Sequence, residues 1–84
     1  MTIEIKDGRS RKYMNVKLIS KNDRSEMYLL TSSDYRITLT SNRPLLRGKG
    51  LKHKAPIWKV SDTNIIYANL VEEIIGSLMT KIDN

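Results

Sequence analysis

The 84-residue chain has no cysteine and no phenylalanine, only two prolines and four glycines, and a single histidine. Without cysteine there are no disulfides and no thiolate metal sites. No 18-residue apolar run occurs, which excludes a membrane-spanning helix. The Met1-Thr2-Ile3-Glu4 start lacks an apolar core of signal-peptide length, so a soluble, cytoplasmic protein is expected. One histidine and scattered acids make no recognisable metal set. The only adjacent carboxylates, Glu72 and Glu73, splay by about 100° on a helix, so they form no acid/base pair. These shortages point to a non-catalytic protein with no cofactor and no metal.

Acidic residues are missing from one stretch above all. Between Arg36 and Lys59 there is not one Asp or Glu, and residues 43–59 (RPLLRGKGLKHKAPIWK) carry six Lys or Arg. The formal charge is +6 overall. Residues 1–60 hold 14 of the 15 basic side chains and five of the nine acidic ones, so the positive field belongs to the first two thirds of the chain. A field segregated in this way favours polyanions.

What is present reads as one domain, because a chain of this length has no material for a second core. Thr2–Lys6 and Tyr13–Ser20 alternate apolar with polar residues, and Asp7-Gly8 between them is a turn signal. Glu26–Thr31 and Tyr35–Thr40 follow. A two-residue turn at Asn22-Asp23 and a four-residue loop over 22–25 both keep apolar residues together, whereas a one-residue slip sets Lys17 opposite Leu29. A three-residue loop at Ser32-Ser33-Asp34 then pairs Leu29 with Ile37 and Met27 with Leu39. That puts Met27 and Leu29 inside and Tyr28 and Leu30 outside.

Gly48-Lys49-Gly50 argues against helix in the basic segment, and Ile57–Val60 suits a last short strand. Ser61-Asp62-Thr63-Asn64 offers four helix-capping residues in a row. Beyond them Ile66, Leu70, Ile74 and Leu78 recur every fourth residue, with Tyr67, Val71, Ile75, Met79 and Ile82 alongside. The expected architecture is therefore α+β: an antiparallel β-meander of four to five strands packed against one C-terminal α-helix. Its parts are a meander over 1–42, a basic loop and short strand over 43–60, and a helix over 61–82. The broad apolar stripe either wraps a twisted sheet or offers one column to a partner, which makes a homodimer through the helix an expectation.

The functional expectation is a non-catalytic RNA-binding protein of low sequence specificity. Several flexible cations, no competing carboxylate and close-approaching glycine backbone suit a phosphate track. The candidate residues are Arg43, Arg47, Lys49, Lys52, His53, Lys54 and Lys59, extended onto the sheet by Lys17 and Arg36. Tyr13, Tyr28 and His53 are candidate stacking faces, while Trp58 is expected to be buried. RNA is preferred to duplex DNA because the one long helix is acidic and no helix-turn-helix pattern exists. The aromatic signature of an RRM and the G-x-x-G of a KH loop are both absent. In style the short Lys- and Ile-rich chain is similar to small phage regulatory or anti-defence factors. The alternative is an inhibitor or adaptor that docks its positive face on an acidic host protein such as a nuclease or toxin. Membrane binding is not expected, since the helix's polar face is acidic.

Overall fold

Alternation in the first 41 residues becomes four antiparallel strands in a computed structural model that describes residues 1–51 and 53–82. They are β1 (Thr2–Asp7), β2 (Ser10–Lys21), β3 (Glu26–Thr31) and β4 (Arg36–Ser41). A short helix α1 (Arg43–Gly48), a fifth strand β5 (Trp58–Ser61) and a long helix α2 (Ala68–Ile82) complete the chain. The sheet order β1-β2-β3-β4-β5 is sequential throughout, so the fold is the expected α+β meander with a C-terminal helix.

One face of the sheet carries the core. Ile3 and Ile5 from β1, Met14 and Val16 from β2, Tyr28 and Leu30 from β3, and Ile37 and Leu39 from β4 are buried beneath Leu70, Ile74 and Leu78 of α2. The second apolar column of the helix, Val71, Ile75 and Ile82, packs half-buried against the same core. Ile66 and Tyr67, expected in the same stripe, precede α2 and stay exposed.

Strand β3 presents the face opposite to the one expected from its sequence. Leu30 pairs with Val16 and Ile37, and Tyr28 with Leu18 and Leu39, while Met27 and Leu29 point to the open side. Lys17 does stand opposite Leu29. Two local features produce the shift. The β3–β4 turn has four residues, Ser32 to Tyr35, closed by the Ser32 amide donating to the Tyr35 carbonyl at 2.9 Å. Ile19 is bulged between Leu18 and Ser20, so the Asn22–Ser25 loop still delivers Lys21 opposite Glu26. In that loop the Asn22 side chain accepts the amides of Arg24 and Ser25 at 2.8 and 2.9 Å.

The basic segment is not all loop. Pro44 lies in the first turn of α1, and the helix ends with the Leu51 amide on the Leu46 carbonyl (2.8 Å) and the Gly50 amide on the Arg47 carbonyl (3.2 Å). Gly50, at φ +70°, occupies the left-handed position of this Schellman ending. The Gly-Lys-Gly run is thus a helix stop, where sequence reading took it to exclude a helix. Helix α2 begins seven residues later than expected. Ser61 belongs to β5, and the Asn64 side chain accepts the Arg36 amide (2.8 Å) while donating to the Asp34 carbonyl (2.9 Å). The capping-type residues after β5 thereby pin the connection to the start of β4.

Candidate nucleic-acid interface

The sheet has two chemically different ends. At one, the β1–β2 turn, the β3–β4 turn and the exit of β5 gather Asp7, Asp34 and Asp62. Lys12 is held there between Asp34 (2.8 Å) and Asp7 (3.4 Å), 5.1 Å over the Tyr35 ring. Tyr35 donates its hydroxyl to Asp7 at 2.8 Å, which holds that carboxyl below its usual range with help from Lys12. Arg11 pairs with Glu4 at 3.4 Å, so the small basic cluster around the β1–β2 turn is largely answered by neighbouring acids.

At the other end lie the β2–β3 turn with Lys21 and Arg24, the exit of β4, α1 and the entry to β5. Of the expected cations, Arg47, Lys49 and Lys54 lie at this end, all exposed, and Lys59 is the second residue of β5. The five ion pairs among the described residues use Arg11, Lys12, Arg36 and Arg43, and so leave these four unengaged. His53 is exposed in the turn that follows α1. Lys52 lies outside the described residues. The segment is held in place from within: the Asn42 side chain accepts the Ile57 amide at 2.8 Å, which ties the entry of α1 to the approach to β5.

Arg43 is a different case. Its side chain is 9% exposed and lies 2.9 Å from Glu26, itself 3% exposed. Glu26 also accepts the Ser41 hydroxyl (2.8 Å) and the Tyr28 hydroxyl (3.1 Å), and Arg43 donates onward to the Ile82 carbonyl at the end of α2 at 3.5 Å. This guanidinium joins sheet, α1 and α2, and does not face solvent as a phosphate ligand would. Burial and the Glu26 charge push the Tyr28 hydroxyl above its usual range. Tyr28 is thereby removed from the stacking candidates. Trp58 is half-buried with its ring centroid 6.5 Å from that of Tyr28, and its indole N–H is buried without a hydrogen-bond partner.

The open face of the sheet carries the remaining candidates. Pairing aligns Lys17 with Leu29, Thr38 and Ser61, and Met27 with Thr40 and Lys59. Arg36 stands on the same face, bridged to Asp62 at 3.2 Å. Both side chains of that pair are more than half exposed, so it is weak and opens easily. Tyr13, 63% exposed on β2, is the aromatic ring presented there. Among the described residues no helix covers this side, since α2 packs on the other. Among the described residues no group of three or more His, Cys, Asp or Glu is placed to hold a metal ion, and no helix is long and apolar enough to cross a membrane.

No protein-family model matches the chain, and neither a curated protein nor a solved structure is significantly similar to it. The phage-type character expected from composition therefore rests on composition alone.

Proposed function

We propose that the protein binds single-stranded or locally unpaired RNA, without catalysis, along its basic end and open sheet face. The observation that carries this reading is the set Arg47, Lys49, Lys54 and Lys59: four exposed cations at one end of the sheet, bridged to no acid among the described residues. Phosphates supply what such a set lacks, and releasing their counterions drives association. Lys17 and Arg36 continue the track over the sheet, and Tyr13 offers one exposed ring for a base to stack on. Low sequence preference follows, because cations and a ring face read no base edges.

Fluorescence anisotropy with labelled oligouridylate at two salt concentrations tests this reading. Saturable binding that weakens with salt, and that Lys49→Glu with Lys54→Glu abolishes in a folded protein, is expected. Binding that is absent, or indifferent to salt, overturns it.

A further inference from the structure

Helix α1 contains two adjacent leucines and buries neither, although it lies beside the end of α2. Between the two helices runs an open groove of about 590 Å³. Its floor is aliphatic, from Leu46 and Leu51 on one wall and Met79 and Ile82 on the other. Arg43, Arg47, His53 and Lys54 line it as well, and no acid does among the described residues. The volume lies within the range of about 300–1,000 Å³ typical of ligand pockets.

The RNA reading makes no use of this floor. A base needs an aromatic face or converging hydrogen-bond groups; among the described lining residues His53 alone is aromatic, and the floor of Leu46, Leu51, Met79 and Ile82 is aliphatic. Aliphatic walls flanked by one sign of charge match the helix-in-groove mode, where apolar anchors recur at i, i+3 or i+4, and i+7. Charge complementarity sets the sign of the remaining positions, and the unbranched Met79 side chain adapts to the shape of what enters.

We propose that the groove between α1 and the last turn of α2 docks an acidic amphipathic peptide segment of a partner protein, with its aliphatic side chains on Leu46, Leu51, Met79 and Ile82 and its carboxylates on Arg47 and Lys54. A helix of four turns is about 21 Å long, which matches the 22 Å width of the molecule. Neither Lys17 nor Lys59 of the open sheet face lines the groove.

The test is a displayed library of random peptides of about 14 residues, panned against the whole chain. Enriched sequences should be rich in Asp and Glu, with aliphatic residues at helical spacing. The best of them, titrated by calorimetry, should lose about tenfold or more in affinity to Arg47→Glu and to Met79→Lys. Circular dichroism confirms that each variant stays folded. Lys17→Glu with Lys59→Glu should leave peptide affinity unchanged while weakening oligouridylate, so the two readings fail separately. The proposal is overturned if no acidic sequence is enriched, or if the peptide is indifferent to Met79→Lys. It is equally overturned if oligouridylate displaces the peptide and shifts the methyl resonances of Leu46, Leu51 and Met79, for then the nucleic acid occupies the groove.

Discussion

Arg43 and Glu26 form a 2.9 Å ion pair in which both side chains are nearly withdrawn from water. They lie 17 residues apart in the chain, and the carboxylate is completed by hydroxyls from Ser41 and Tyr28. Such a pair carries a desolvation cost that only full hydrogen bonding offsets, and removing one partner leaves a stranded charge. Arg43→Met should therefore destabilise the fold by about 3–5 kcal/mol. That is a large part of the roughly 4–13 kcal/mol expected for a domain of this size. Urea unfolding followed by Trp58 fluorescence measures it. The double replacement Glu26→Leu with Arg43→Met should recover most of the loss, and a double variant no more stable than the single one would refute this account.

Salt dependence separates the exposed cations from the buried one. If Arg47, Lys49, Lys54 and Lys59 each meet a phosphate of a single strand, log K should fall with log salt at a slope of about −3. Replacing any one of them by Ala should reduce that slope by about 0.7. Replacing both Glu26 and Arg43 should leave it unchanged, because that guanidinium has its partners inside the protein. Anisotropy titrations over a salt series give each slope directly.

The Tyr35–Asp7 hydrogen bond ties stability to pH at both extremes. The Asp7 carboxyl is held below its ordinary 3.8 in the folded protein, mainly because the Tyr35 hydroxyl donates to it and secondarily because of Lys12. Its contribution is complete above that value and is lost as the pH falls through the lower folded one. Tyr35 is shifted upward from 10.0, first by the bond to Asp7 and then by burial, so its contribution holds below pH 10 and is lost as the pH rises through the raised value. Tyr35→Phe should move acid unfolding to higher pH and remove one late-ionising phenol from the absorbance titration at alkaline pH. An unchanged acid limb would disprove the link.

Gly50 isolates a backbone effect. An added Cβ would meet nothing within 4 Å, yet the residue sits at φ +70° where α1 ends. Gly50→Ala should cost about 1–2 kcal/mol from conformation alone. Gly50→Asn should cost less, since Asn tolerates this region. Equal losses for the two, measured by urea unfolding, would show that the left-handed position does not govern the helix stop.

Period-2 alternation over Thr2–Lys6, Tyr13–Ser20 and Tyr35–Thr40, and the fourfold spacing from Leu70 to Leu78, were enough to read strands, helix and α+β class from the chain by itself. Both are local patterns, tied to backbone geometry that a few neighbouring residues impose. The density of cations without acids was equally plain, whereas Trp58, expected to be buried, is half-buried. Helix α1 was also within reach: Pro44 in its first turn and Gly50 just past its end are a start and a stop signal, outweighed in the reading by the flexibility of Gly-Lys-Gly.

Which face of β3 turns inward lay beyond the pattern, because Glu-Met-Tyr-Leu-Leu-Thr has apolar residues at both parities. Only the assembled fold breaks that tie. Glu26 can enter the interior because Ser41 and Arg43, distant in sequence, arrive beside it with donors, and Ile19 bulges to absorb the one-residue shift. The same contact decides the role of Arg43, which composition alone groups with its basic neighbours. Charge is a property of the residue, but whether that charge faces solvent or a buried carboxylate depends on tertiary neighbours that no local window contains.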